Sequence, residues 1–228
     1  MRLKNLSAGI LFSTATLLST NALAGLVLET YGSSVATPET LGGYSLTDFA
    51  VTNTAGGVTS SVASPISGIL QFEDISGAAL NMNRGLANDT TWWSNPEATD
   101  NDIFTTDVHW VKILLPENTR AITFNVGANF NGTGWIEGLS NNTESFDREY
   151  FKLGYENTPG FGVYADNSGG SCGSIASIVI DPSQWGVGNF SINQSDCTAS
   201  VPEPGVLSLL AIGVVGLGVA RKTNKAQA

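Results

Sequence analysis

The strongest constraint on the fold is a run of strict alternation. In AITFNVGANF, Ile122, Phe124, Val126, Ala128 and Phe130 fall on one side of an extended chain, and Thr123, Asn125, Gly127 and Asn129 on the other. Side chains of a strand alternate with a period of two, so this run reads as a strand with one buried and one wet face. Asn131-Gly132 follows, then TGWIEGLS. Asn-Gly between two strand-like runs predicts a hairpin. LVLET, YSLTDFAVT, SGILQFED, HWVKILLP, YFKLGYE, FGVYAD, SIASIVID and WGVGNFSIN are further strand-like runs, divided by Pro116-Glu117-Asn118, Thr158-Pro159-Gly160 and Asp181-Pro182-Ser183. AALNMNRGLAN is the one candidate for a short helix, and no part of the body sustains a 3.6-residue apolar period. Many short strands at this spacing predict an all-β body, a single β-sandwich or jelly-roll-like domain over residues 25–200.

Two apolar segments bracket that body. MRLKNLSAGILFSTATLLSTNALA has a basic start at Arg2 and Lys4, an apolar stretch from Leu6 to Leu18, and Ala22-Leu23-Ala24 as a small-x-small cleavage site. This is the pattern of a secretory signal peptide over 1–24, which places the mature start at Gly25. At the other end, Gly205 to Ala220 contains no charged residue. As a helix these sixteen residues span about 24 Å, short against a bilayer core of about 30 Å. Arg221, Lys222 and Lys225 follow at once. Positive charge beside an apolar span stays cytoplasmic, so a transmembrane segment at 205–220 would hold the exported body outside.

The order of parts in the tail, Pro202-Glu203-Pro204, an apolar Gly- and Leu-rich span, then a basic end, resembles the PEP-CTERM sorting signal of bacterial proteins, here over residues 201–225. The resemblance implies that the chain is a substrate of exosortase, a membrane-embedded cysteine transpeptidase, cut at or near Pro202, Glu203 and Pro204. The body would be anchored transiently in the inner membrane, then released or transferred to the cell surface or the exterior. The basic end is dilute, Arg-Lys-Thr-Asn-Lys, where the family pattern has an arginine run. Physically, a proline holds the residue before it extended, a conformation that a protease cleft accepts. The body also resembles other PEP-CTERM bodies, and more distantly the galactose-binding type of jelly roll, on LPENTRAITFNVGANFNGTGWIEG, TPGFGVYAD and WGVGNFSIN. In that type the last strand runs aromatic-Gly-hydrophobic-Asp, and here Gly188 stands where Asp is expected. This likeness implies a fold and not a ligand.

Charge narrows the partners. Between Glu29 and Glu203 lie all 20 acidic residues and only five of the 10 basic ones, a net of −15 over that stretch. Such a field repels nucleic acid and anionic headgroups, attracts cations and keeps an exported protein soluble. Cys172 and Cys197 both fall in the body. In an oxidising compartment an even pair reads as one disulfide.

Chemistry is sparse. His109 is the single histidine, and alternation puts it on the strand face of Val111 and Ile113. No P-loop, dinucleotide fingerprint or zinc spacing occurs, and no cofactor is implied. In NPEATDNDIFTTD, Asp100, Asp102 and Asp107 form an oxygen-rich loop, a candidate Ca²⁺ site, although a solvated turn is the plainer reading. Trp92-Trp93 is the candidate ligand contact, because a loop dipeptide exposes part of a ring, whereas Trp110, Trp135 and Trp185 lie in strands and read as core. Three functions compete for the body: a non-catalytic surface or matrix protein, a carbohydrate-binding module for extracellular polysaccharide, and a secreted hydrolase, with the first preferred.

Overall fold

The computed structural model describes residues 25–33, 37–52, 56–87, 93, 102–141, 145–154, 157–166, 173–181 and 185–196. The signal peptide, the tail with its apolar span, Trp92, Asp100, Cys172 and Cys197 lie outside them. Among the described residues sixteen strands follow one another: β1 (Leu26–Tyr31), β2 (Thr40–Leu41), β3 (Tyr44–Ser45), β4 (Thr47–Asp48), β5 (Val58–Thr59), β6 (Ser61–Ala63), β7 (Ile69–Glu73) and β8 (Met82–Leu86). Then come β9 (Asp102–Thr106), β10 (Val111–Leu114), β11 (Thr119–Ala128), β12 (Gly132–Ser140), β13 (Ser145–Leu153), β14 (Gly160–Ala165), β15 (Ile175–Asp181) and β16 (Trp185–Gln194). No α-helix occurs among the described residues. The helix candidate at AALNMNRGLAN is strand instead: Ala79 bridges Glu73, and β8 begins at Met82.

All pairing is antiparallel. One sheet runs β1-β14-β11-β16-β9-β8-β5, with β4 on β16 beyond β9; the second runs β13-β12-β15-β10-β7-β6. Their inner faces meet in one core. Leu70, Phe72, Val111, Ile113, Ile136, Ile178 and Ile180 of the second sheet pack with Phe104, Ile122, Phe124, Val126, Phe161, Val163 and Val187 of the first. Phe72 meets Phe104 at 5.4 Å between centroids, and Phe151 meets Phe161 at 4.7 Å, two aromatic contacts from sheet to sheet. The body is therefore two antiparallel sheets face to face, the arrangement that alternating apolar and polar strands demand.

Two local readings change. Asn131-Gly132 does not close a hairpin, because β11 pairs with β14 and β16 whereas β12 pairs with β13 and β15. The turn carries the chain from one sheet to the other. The ring of Phe130 lies 2.4 Å from where a Cβ on Gly132 would sit, so a side chain there would have to displace that ring. The polar face of β11 is also not wet: Thr123 and Asn125 are fully buried. A cover formed by the β2–β3 ribbon lies over this sheet. Gly42 has φ +58 and sits so close to Tyr164 that any Cβ would overlap its ring, and Leu41 rests against Gly162. Buried polar groups need partners, and Asn125 donates from Nδ2 to the Thr158 carbonyl at 3.2 Å and accepts from Asn189 Nδ2 at 2.9 Å.

Candidate functional site

The outer face of the second sheet carries a row of rings. In register, Tyr150 of β13 lies beside Trp135 of β12, and Trp135 beside Asp181 of β15. One step before β10, Trp110 continues the row, because Val111 pairs with Ile180. Directly opposed residues of antiparallel strands point to the same face, so four neighbouring strands place these groups in one line. The next line along the same face pairs Lys112 with Glu73 at 3.4 Å and Arg148 with Glu137 at 3.2 Å.

One carboxylate organises the row. Asp181 Oδ2 accepts from Trp110 Nε1 at 2.9 Å and from Trp135 Nε1 at 3.0 Å, and Oδ1 lies 3.1 Å from His109 Nδ1. The two indoles meet edge to face, with centroids 5.7 Å apart and planes at 75°. The Arg148 guanidinium lies 3.6 Å from the centroid of the Trp135 ring, a cation–π contact. Trp135 is thus covered, at 8% exposure, without belonging to the core, whereas Trp110 is 38% and Tyr150 67% exposed. Trp110 has φ 62. A bulky side chain in the left-handed region is strained, and such strain persists only where the surroundings enforce it.

That backbone turn also relocates His109. Val111 and Ile113 are fully buried, but the left-handed residue between them and His109 breaks the alternation, and the imidazole emerges 65% exposed beside Asp181. The hydrogen bond described for this ring is the one between Nδ1 and the Asp181 carboxylate.

The other expected residues fall elsewhere. Trp93 is 7% exposed and packs with Ala87 and Ile103, so its ring is covered. Asp102 opens β9, buried, with Oδ2 accepting from Thr52 Oγ1 at 2.8 Å and forming an ion pair with Arg84, whose Nε lies 3.8 Å away. Asp107 lies exposed past the far end of the same strand. Five residues of extended chain separate the two by about 16 Å, whereas oxygens sharing one Ca²⁺ each lie about 2.3–2.6 Å from it. These two carboxylates therefore cannot ligate a common ion, and no cluster of three metal-ligating side chains occurs among the described residues. Asp102 instead lines a cleft of about 240 Å³ with Asp48, Phe49, Phe104 and Phe190. Asp48 Oδ1 there accepts from Ser191 Oγ at 2.6 Å.

Sequence reasoning set Trp110 and Trp135 in the core and passed over Tyr150. A signal was present in the parity of the strands. Trp110 alternates in step with Lys112, Trp135 with Glu137, and Tyr150 with Lys152, and charged residues at that spacing mark an outer face.

No curated protein matches the chain. Among solved structures, the K1 cleaved adhesin domain of Lys-gingipain from Porphyromonas gingivalis W83 is similar at 8% identity, over 63% of this chain and 100% of that one, with a TM-score of 0.25. An arabinose-bound MgGH51 α-L-arabinofuranosidase is similar at 13% identity, over 72% of this chain and 31% of that one, with a TM-score of 0.26. Likenesses this distant carry no argument about fold or ligand. The C-terminus is different, since residues 200–222 match the family model of the PEP-CTERM protein-sorting motif. Tripeptide, apolar span and basic end all fall within or beside that match, and on them the chain is a PEP-CTERM sorting-domain protein.

Proposed function

We propose that this chain is an exported bacterial surface or extracellular-matrix protein, processed by exosortase at or near Pro202, Glu203 and Pro204, with a non-catalytic body. The match at 200–222 carries the reading, because that motif indicates exosortase-dependent sorting of an exported protein. The layout of the body supports it. The first strand starts at Leu26, directly after the expected signal cleavage at Ala24, and the last ends at Gln194, eight residues before Pro202. Both processing points lie just outside the strands, so cutting at either leaves every strand pairing whole. The span at 205–220 anchors the chain in the inner membrane until exosortase acts, with Arg221, Lys222 and Lys225 on the cytoplasmic side.

The test is fractionation of cells that express the parent chain or Pro202→Ala with Glu203→Ala. The parent is expected outside the cell or on its surface in shortened form, and the altered chain full length in the membrane fraction. Release of the altered chain at the parent's level refutes the sorting reading.

A further inference from the structure

We infer that the row Trp110–Asp181–Trp135–Tyr150 on the outer face of the second sheet is a binding platform for a neutral polysaccharide. The inference rests on the exported location proposed above only for access to such a polymer.

The rings that bear on solvent are Trp110 and Tyr150, at opposite ends of the row. Three strand spacings separate β10 from β13, about 14 Å across the sheet. Fixed polar groups lie beside and between these rings: His109 and Asp181 near one end, the Arg148–Glu137 pair near the other. A surface for another protein would offer a contiguous apolar centre with a polar rim. Here rings and charged groups alternate instead. A pyranose chain has that pattern, with C–H faces that lie on aromatic rings and hydroxyl edges that exchange hydrogen bonds with carboxylates and guanidinium. The distance between the two rings calls for an oligosaccharide and not a single sugar. The net charge of −15 between Glu29 and Glu203 argues against polyanionic polymers, which its field repels.

The conformation of Trp110 is the second, independent observation. Its backbone is held at φ 62, and its indole is pinned by Asp181 and by the edge of Trp135. A side chain needed only to cover the sheet would gain nothing from this arrangement, since the ring remains 38% exposed. A ring locked in place before the ligand arrives loses little rotamer freedom on binding, which is the general advantage of preorganisation. Strained residues held by their surroundings cluster at ligand sites for this reason.

The test is affinity electrophoresis of the full chain, purified in detergent, through native gels cast with hydroxyethylcellulose, laminarin or galactomannan, and with alginate as the anionic polymer. Retardation by at least one neutral polymer and none by alginate is expected. Trp110→Gly and Tyr150→Ala should each weaken it by about ten-fold or more, as loss of a central aromatic anchor does. Glycine accepts a positive φ, so Trp110→Gly relieves the strain and should stay folded, which its thermal melt verifies; Tyr150 is too exposed for its removal to threaten the fold. The platform is refuted if no neutral polymer retards the parent, if alginate retards it as strongly, or if both folded variants are retarded like the parent. Because the gel reads binding and fractionation reads release, either proposal can fail while the other stands.

Discussion

Gly188 and Gly85 flank the same residue from two sides, and they should respond oppositely to one added methyl group. Ile103 of β9 pairs with Gly188 of β16 and with Gly85 of β8. A Cβ on Gly188 would stand 2.6 Å from the Asp102 carbonyl oxygen and 3.3 Å from Ile103 Cα. A Cβ on Gly85 would meet nothing within 4 Å. The atoms crowded at Gly188 are backbone in a paired strand, so no side chain can turn aside. Either β9 moves outward by most of an ångström or the β9–β16 ladder opens. Overpacking of this kind costs about 1–3 kcal/mol, and a rigid neighbour puts Gly188→Ala near the top of that range. The loss of unfolded-state freedom on replacing glycine returns about 0.4–1 kcal/mol. The net expectation for Gly188→Ala is a loss of about 2 kcal/mol, or roughly 4–8 °C in Tm for a domain of this size. Gly85→Ala has only the favourable contribution and should be neutral or more stable by up to about 1 kcal/mol. Urea unfolding followed by tryptophan fluorescence measures both, with unchanged m-values as the sign that the unfolded state is comparable. Equal stabilities for the two variants, or a Gly188→Ala protein as stable as the parent, would refute the close approach of β9 to β16. The same contact explains why glycine occupies the place where the jelly-roll pattern has Asp: no side chain fits there.

Two further expectations concern the chain's ends and its first strand. The buried Arg120 donates from Nε to the Ser195 carbonyl at 3.0 Å and from Nη1 to the Gly173 carbonyl, which draws the chain next to Cys172 and near Cys197 onto one guanidinium. Mass spectrometry of unreduced peptides should therefore find Cys172 linked to Cys197, and Cys172→Ser with Cys197→Ser should lower stability by about 3 kcal/mol on the chain-entropy account of a loop this long; free thiols in the exported protein would contradict it. Burial first, and then the Glu29 carboxylate that accepts from the Tyr31 hydroxyl at 2.7 Å, hold Tyr31 above the ordinary tyrosine value of 10.0, and burial, then Glu29 and Asp166, raise Tyr164 as well. Raised values favour the neutral phenols, so their contribution to stability is complete below pH 10 and declines as pH rises above it. Alkaline difference spectra should place the ionisation of Tyr31 and Tyr164, read as the amplitude that Tyr31→Phe and Tyr164→Phe each remove, above the ordinary value of 10.0, and an amplitude removed at or below that value would contradict this.

Much of the architecture was legible because alternation is a local property. Ile122, Phe124 and Val126 face the core as their spacing requires, and the run WGVGNFSIN is a strand throughout. The sorting motif was legible for a similar reason, since tripeptide, span and basic end act through their order along the chain. What alternation cannot state is what lies against the second face of a strand. Thr123 and Asn125 look wet in sequence and are buried, because a distant ribbon at residues 40–45 lies over their sheet. Asn131-Gly132 reads as a hairpin, but whether a turn returns to the same sheet or crosses to the other depends on strands far away in the chain. The Trp110–Asp181–Trp135–Tyr150 row was hidden in the same way. Its members come from four strands and are separated by up to 71 residues in sequence. Sequence set the parity that turns Trp135 and Tyr150 outward. Only the tertiary structure decided that they share one face, because register between strands is settled by long-range pairing and by the shared core, and neither is written in any single stretch of the chain.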